Sequence, residues 1–549
     1  MLNLKGAYFY FLAIKTNLIK VIKKTYFTTD YYNKSLKSEV PKQFYFFPNP
    51  FLLSSITSYK NFSFKITQMN LDSFFDAQIT QFEREKINSF LWLNLIDRKN
   101  DNLVLQKIIT LWIEKNNKYK QIIWENSIIS KRIISWILNA DIILSNTDNH
   151  FKKTFFESII IQTNHLKKNI KFEKNSSKKI EILTAIMLSG LVFKEYLENF
   201  NHCLKELENL IKDFFDTDGF PLSRNPNHLL KFSKYFILIK ECTKDAQQYV
   251  PDFLDDIIQK NLDCIKNITT PENKMPLFNG ATEVDMESYF KYINNLNYKS
   301  KIIKNIVGGI SILKFKKNVV FLDTKEPPKK EYSKAYQSGP LSFEYYIDGN
   351  KIITNCGFGY NISRKAMLLS RLTSAQSTLS INDTSVVNFE RNKFMNKAFG
   401  NSIKNSFKVS KENFNDNENE VKINVSHNAY KDNFGLTHTR EIKIDKKNKN
   451  LIGIDHLTNL NNQKDTKYDL RFHLYPGISA VQTLGGNSIL IQVSKNISLI
   501  FSSKSQQLSI EKSIFLGSNK ILNNLCITIS GDLNNNDKII NWEIKKNIN

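Results

Sequence analysis

Four groups of residues in this 549-residue chain have types and spacings that could do chemistry. The first is Trp124, Glu125, Arg132 and Trp136. On a helix Arg132 and Trp136 stand at i and i+4 and share a face. A guanidinium beside indoles suits a sugar that carries a carboxylate: the cation pairs with the acid and a ring stacks on the pyranose. The same pattern also fits two core tryptophans with an arginine that caps or snorkels. The second group is the loop Asp218-Gly219-Phe220-Pro221-Leu222-Ser223-Arg224-Asn225-Pro226, with His228 just beyond. Asp-Gly and two prolines mark an ordered turn between helices, from which Arg224, Asn225 and His228 project as binding candidates. Turn chemistry and a helix cap would explain the loop equally well.

The third group runs from Ala335 through Tyr336, Gln337, Ser338, Gly339 and Pro340 to Glu344. Asn355-Cys356-Gly357 and Arg371…Ala375-Gln376-Ser377-Thr378-Leu379 follow it. The fourth is His438-x-Arg440 together with Arg471-x-His473-x-Tyr475. A strand period of two places His438 with Arg440 on one face, and Arg471, His473 and Tyr475 on one face of another strand.

These groups need elements to position them. From about residue 70 to 270 the apolar period is helical, as in Leu105, Ile108, Ile109 and Trp112, then Leu183, Ile186, Met187 and Gly190. Short polar links such as 145–149 predict successive antiparallel helix pairs. From about residue 305 the period becomes two. Phe343, Tyr345 and Ile347 alternate up to Asp348-Gly349, and the chain returns through Lys351 to Asn355, which predicts a hairpin. A second hairpin is expected from Thr437–Ile444 to Leu451–Asp455. Further strands are expected at 470–475, 488–493, 497–502 and 525–530. The domains read as an extension over 1–65, a helical domain over 66–300 and an antiparallel β-sandwich over 301–549.

Lys+Arg 77 against Asp+Glu 53 gives a net charge of +24, which suits a polyanion: nucleic acid, anionic lipid or acidic polysaccharide. Only nine of the 77 are Arg, and the chain is crowded with Lys, Asn and Ile. Compositional drift on solvated faces would explain the charge as well. A retained Arg then marks a place where planar, bidentate geometry is needed. No basic stretch carries the aromatic interleaving of a nucleic-acid module, so nucleic acid is not an expected partner. Five scattered cysteines, an odd number without CxxC spacing, argue against a disulfide scaffold and a cysteine zinc site. No apolar run reaches the ~18 residues of a membrane span, so no transmembrane segment is expected. The short apolar run from Ala7 to Ile14 stops at Lys15 and lacks an A-x-A cleavage signal. It reads as a docked helix or a membrane-surface helix, not as a secretory signal peptide.

In their order, the motifs resemble the heparinase II/III-like proteins, polysaccharide lyases and their relatives. The fragments are Ile87-Asn88-Ser89-Phe90-x-Trp92-Leu93, Trp124…Arg132…Trp136, Asp218-Gly219…Ser223-Arg224-Asn225-Pro226 and Leu277-Phe278-Asn279-Gly280. After them come Leu341-Ser342-Phe343-Glu344, Ser377-Thr378-Leu379…Asp383-Thr384-Ser385, Phe434-Gly435-Leu436-x-His438-x-Arg440 and Arg471-Phe472-His473-Leu474-x-Pro476-Gly477. The resemblance spans roughly residues 70–540. It implies an incomplete (α/α) toroid followed by an antiparallel β-sandwich, an α+β multidomain chain. It also implies β-elimination on an acidic, uronate-containing polysaccharide. That reaction needs a group to neutralise the C5 carboxylate, a base for the C5 proton and an acid for the leaving O4.

The chain departs from the family pattern at the proton-transfer positions. A His-x-His-x-Asp type segment is replaced by Ala335-Tyr336-Gln337-Ser338-Gly339. Gln376 stands where a histidine is usual, and a Tyr-His pair has become Asn227-His228. Tyr336 is then the leading proton-transfer candidate, with His438 and His473 in support. Trp124, Arg132, Trp136, Arg224, Asn225, His228, Gln337, Tyr360, Gln376 and Arg440 are candidate substrate contacts. Some family members hold a structural zinc in the sandwich. Three ligands cannot be assembled here, so no metal and no cofactor are expected. The family implies a periplasmic or cell-envelope setting, while the start of the chain leaves the cytoplasm open. Two functions follow: a carbon–oxygen lyase, or a catalytically lapsed glycan-binding or envelope-assembly protein on the same fold. The glycan, the linkage and the oligomeric state are left open.

Overall fold

The structure is a computed structural model that describes residues 4–56, 81–96, 98, 102–302, 304–460, 466–504, 507–533 and 536–547. The chain divides into two compact units, both discontinuous in sequence. One comprises 1–215, 230–260 and 288–299. The other comprises 216–229, 261–287 and 300–549. The extension read over 1–65 lies within the first unit, and its last nine residues fall outside the described ones.

Twelve helices are described up to residue 295: α1 (Leu4–Phe27), α2 (Asp30–Lys34), α3 (Gln81–Ser89), α4 (Asn102–Asn116), α5 (Asn126–Leu138), α6 (Ala140–Ile143), α7 (Asn149–Asn169), α8 (Ser176–Val192), α9 (Leu197–Phe214), α10 (Pro226–Asp245), α11 (Asp252–Asn267) and α12 (Met286–Asn295). In the first unit α8 packs against α5, α7 and α9. It can do so because every residue from Ile180 to Val192 is buried, so the helix is apolar almost all round. The outer helix α9 buries one stripe, including Phe200, Cys203, Leu207, Leu210 and Phe214. Gly190 lets the two helices approach: a Cβ there would lie 2.8 Å from the Phe200 amide nitrogen. Side-chain caps start α7 and α8, with Asp148 accepting from the Phe151 amide and Asn175 from that of Ser177.

The second unit carries seventeen described strands: β1 (Ile306–Val307), β2 (Ile310–Phe315), β3 (Asn318–Asp323), β4 (Phe343–Ile347), β5 (Asn350–Thr354), β6 (Leu379–Ile381), β7 (Val409–Asp416), β8 (Glu420–His427), β9 (Leu436–Asp445), β10 (Leu451–Asn459), β11 (Thr466–Leu474), β12 (Ser479–Gln482), β13 (Ser488–Ser494), β14 (Ile497–Ser502), β15 (Leu508–Phe515), β16 (Leu522–Leu533) and β17 (Lys538–Lys546). One sheet of nine strands is ordered β1-β2-β3-β4-β5-β11-β16-β15, with β6 on β11. The other, of eight, is ordered β12-β13-β14-β17-β10-β9-β8-β7. All pairings given for these strands are antiparallel. Burial alternates residue by residue along β8, β9 and β10, as one core-facing side demands. The two inner faces meet over Trp542 of β17, which stacks on Phe343 of β4 at 5.5 Å and meets Phe472 of β11 edge-on at 4.9 Å.

Both expected hairpins form. Asp348 and Gly349 take φ of 47° and 81° between β4 and β5, a two-residue turn of the kind that matches strand twist. The described chain is thus a helical unit of the (α/α)-toroid type and an antiparallel β-sandwich.

Candidate functional site

In the helical unit α5 presents Arg132 and Trp136 on one face, as the spacing predicts, and that face is inward. Trp136 is fully buried, edge-on to Trp112 at 5.4 Å and to Phe90 at 5.3 Å. Trp124 is buried too, its indole N–H donating to the Asn116 carbonyl at 3.1 Å. Arg132 donates from Nε to Gln162 Oε1 at 2.7 Å and from Nη1 to the Asn88 carbonyl at 2.8 Å. Its guanidinium lies over the Trp112 ring at 4.1 Å. Burial pushes its pKa well below the ordinary guanidinium range. These three side chains form part of the unit's core and none of them faces solvent.

The cations of this unit that do reach solvent were not singled out in the sequence. Glu181 of α8 is buried, and it accepts from Lys231 Nζ at 2.7 Å and Ser127 Oγ at 2.5 Å, with Lys131 Nζ at 3.7 Å. Lys178, one turn earlier on α8, pairs with Glu125 at 2.5 Å. Burial alone would raise the Glu181 carboxyl; Lys231 and Lys131 overcome it and hold the acid below its ordinary value. All three lysines are part-exposed, at 29–42% of their side chains. Glu173 also acts on Lys178, so three carboxylates stand against three ammonium groups and the cluster is charge-balanced, with its cations part-exposed. The available signals were Lys178 and Glu181 at i, i+3, and Lys131 beside Arg132. In a chain this rich in lysine they did not stand out.

In the sandwich unit the 216–229 loop is built by Asp216, whose Oδ1 accepts from the amides of Asp218 at 3.1 Å and Phe220 at 2.8 Å. Arg224 takes φ of 59° and turns inward, into an ion pair with Asp323 of β3. Its Nη1 donates to the carbonyls of Lys325 at 3.1 Å and Glu326 at 3.0 Å. Asn225 is buried, accepting from the Asn227 amide at 2.8 Å. Half-buried His228 shares a hydrogen bond with Ser223 Oγ at 2.8 Å.

Gln337 accepts from the Gly280 amide at 3.0 Å and donates to the carbonyls of Gly357 at 2.9 Å and Ser370 at 2.8 Å. Gln376 donates to the same Ser370 carbonyl at 2.8 Å. Both amides are therefore tied to backbone. Tyr336 is 1% exposed and its hydroxyl has no hydrogen-bond partner. Burial, with Asp323 nearby and Arg224 opposing, drives the phenol far above its ordinary range, so it stays protonated. Its backbone is clamped by Arg371, whose Nε donates to the Tyr336 carbonyl at 2.8 Å. Tyr360 is 68% exposed, its ring stacked on Phe358.

His438 and Arg440 share a face of β9, but that face is the sandwich interior. Register sets His427 of β8 opposite His438, and Asp455 of β10 opposite Arg440. The Ala429 amide donates to His427 Nδ1 at 3.2 Å, which leaves His427 Nε2 to donate to His438 Nδ1 at 3.1 Å. His438 Nε2 then donates to Asp455 Oδ1 at 2.6 Å. Arg440 Nε adds a bond to Asp455 Oδ1 at 2.7 Å, and Trp542 donates to Oδ2 at 2.8 Å. Burial would raise the Asp455 carboxyl, yet Arg440 and His438 pull it down to about 2. Burial holds both histidines below their ordinary value. They are neutral members of a buried network. Their partners His427 and Asp455 went unnoticed in the sequence because only register joins them.

The zinc of some family members would need three convergent ligands. His427, His438 and Asp455 are instead strung in a line, with both nitrogens of His438 engaged within it. Among the described residues no group of three or more His, Cys, Asp or Glu side chains is arranged to hold a metal ion. His473 of β11 accepts at Nδ1 from Ser513 Oγ at 2.9 Å and donates from Nε2 to the Ser374 carbonyl at 3.0 Å. Burial lowers it to about 4. It lines a cavity of about 360 Å³ with Cys356, Ser370, Ser374, Lys512 and Ser513.

A helical unit of toroid type with a two-sheet sandwich defines a polysaccharide-lyase type of fold. Two family models match: the heparinase II/III N-terminus over residues 98–303, and the heparinase II/III-like C-terminal domain over 306–543. The chain belongs to the heparinase II/III-like family. No curated protein matches it. Among solved structures, it is similar to the heparan sulfate lyase HepC from Pedobacter heparinus, with 14% identity and a TM-score of 0.63, covering 94% of this chain and 87% of that one. A heparinase III matches with 15% identity and a TM-score of 0.65, over 85% of this chain and 76% of that one. At such identities the likeness is one of fold.

Proposed function

We propose that this heparinase II/III-like protein holds an acidic, uronate-containing polysaccharide on a polysaccharide-lyase fold, with little or no β-elimination. The observation that carries the reading is the state of Gln337 and Gln376. They occupy positions where the family resemblance expects histidines, an amide cannot shuttle a proton, and both are tied to backbone carbonyls. Carboxylate recognition falls to Lys131, Lys178 and Lys231, which are ion-paired but part-exposed, because Arg132 and Arg224 are themselves buried. Tyr360 offers an exposed ring for a sugar face. A cell-envelope setting suits such a ligand.

One observation favours a second reading, a working lyase. The Tyr336 hydroxyl is protonated and unpaired beside the Arg224–Asp323 pair, as a general acid for the leaving O4 must start, although it is buried and its phenol is held far above the range that favours proton transfer. The test is binding of the full chain to a panel of uronate polysaccharides, with Lys131→Gln/Lys178→Gln as the variant. Lys231 remains on Glu181 at 2.7 Å, so the fold is kept. Affinity should fall about tenfold, and should already be weak in high salt. Equal affinity of variant and wild type would remove the lysine cluster from the reading.

A further inference from the structure

The described helix α1 is amphipathic the wrong way round for a helix docked by its apolar face. Its buried residues are Ala13 and Asn17, with Leu12, Thr16, Lys23 and Phe27 half-buried. Apart from Leu12 and Phe27, which packs on Tyr32 and His165, the described large apolar side chains are exposed. Phe11, Ile14, Leu18 and Ile22 are each more than half exposed, at the i, i+3, i+7, i+11 spacing of one stripe, with Tyr8 and Tyr26 exposed near its two ends. An apolar face of this size on a chain free in water is a sign of an interaction surface.

We propose that α1 lies flat on an anionic lipid bilayer. Two features identify this occupant, and neither depends on the glycan reading. The first is charge. The 24 residues of α1 hold five lysines and no acid, and Lys15, Lys20 and Lys24 are exposed. A second copy of the helix would bring only further lysines and no acid, whereas anionic headgroups supply the opposite charge. The second is the combination of aromatics and length. Tyr8 and Tyr26 have the amphipathic rings that settle at headgroup level. At 1.5 Å per residue the helix runs about 36 Å, yet no described helix is long and apolar enough to cross a membrane. Apolar side chains would enter the acyl boundary while Lys15, on the same side, snorkels to phosphate; Lys20 and Lys24, in step with the protein-facing Ala13 and Asn17, add longer-range attraction. Flat binding, not spanning, satisfies both sets of side chains.

The experiment is co-sedimentation of the full chain with vesicles. Phosphatidylcholine vesicles containing roughly one-third phosphatidylglycerol should carry the protein down, pure phosphatidylcholine should not, and high salt should release it. Phe11→Ser/Ile14→Ser/Leu18→Ser/Ile22→Ser alters only exposed positions, so it should melt like wild type and stay in the supernatant. Lys15→Glu/Lys20→Glu/Lys24→Glu should bind about 10²-fold more weakly. The proposal is overturned if wild type ignores the anionic vesicles, or if the apolar variant sediments as wild type does. It is equally overturned if wild type is a dimer that the apolar variant converts to monomer with no vesicle binding by either. That last result would make the face an interface between copies.

Discussion

Asp455→Asn is the sharpest probe of the sandwich interior. The carboxylate takes two donors on Oδ1, His438 Nε2 at 2.6 Å and Arg440 Nε at 2.7 Å, and Trp542 Nε1 on Oδ2 at 2.8 Å. Both Asp455 and Arg440 are fully buried. Asparagine keeps one acceptor oxygen and turns an amide toward one set of donors. It also leaves the Arg440 guanidinium without a counter-ion. Breaking a buried ion pair on one side costs about 3–5 kcal/mol, and an unsatisfied buried donor adds roughly 1–3 kcal/mol. The sum rivals the whole stability of a typical domain, about 5–15 kcal/mol. Urea unfolding followed by tryptophan fluorescence reads the effect, since Trp542 sits in the network. The variant should lose about 4 kcal/mol or more, or fail to fold. Asp455→Asn/Arg440→Leu should recover part of the loss, because removing both charges leaves neither stranded. A single-variant loss below about 1 kcal/mol, the range of an exposed pair, would refute the reasoning. So would a double variant less stable than the single one.

Four further outcomes follow. Acid should destabilise the sandwich unit well before its carboxylates titrate. His427, His438 and His473 are all held below their ordinary 6.5, so the unfolded chain takes up protons that the folded one refuses. Stability is full above pH 6.5 and falls as the pH drops. His473 alone, at about 4, removes about 2 kcal/mol between pH 7 and pH 5, and a urea midpoint flat over that interval would contradict it. Asp455, at about 2, adds a second loss below pH 4. Gly453→Ala should destabilise the sandwich, since a Cβ would sit 2.0 Å from the Trp542 ring; an unchanged melting temperature would mean that the ring moves aside freely. Elemental analysis of purified protein should find no zinc that survives dialysis against a chelator, and one equivalent per chain would contradict this.

The periodic part of the fold was legible in the sequence, for physical reasons. The Asp348-Gly349 turn and the alternation along β8 to β10 are local consequences of glycine conformation and one-sided burial. The helical stripes were legible for the same reason. In the candidate site, residue types were legible but orientation was not. Arg132 and Arg224 look alike as isolated arginines. Only the fold shows that Gln162 and Asp323 already hold them. His438 and Arg440 were placed on one face from period two, but Asp455 reaches them through strand register, which no local pattern encodes. The inclusion of 216–229 and 261–287 in the sandwich unit is likewise a matter of long-range packing.

Glycan binding without efficient proton transfer, the function proposed above, is read by one paired measurement. Purified protein is incubated with a panel of acidic polysaccharides, and both bound glycan and ultraviolet absorbance are read. β-Elimination leaves a 4,5-unsaturated uronate that absorbs, and the loss of a positioned base and acid costs on the order of 10²–10⁴-fold for each. Salt-sensitive binding to at least one uronate polysaccharide is expected, with no more than a trace of absorbing product and with Tyr336→Phe leaving the binding intact. Rapid growth of the ultraviolet signal that Tyr336→Phe abolishes would contradict it in favour of a working lyase, and failure to bind any acidic glycan would contradict both.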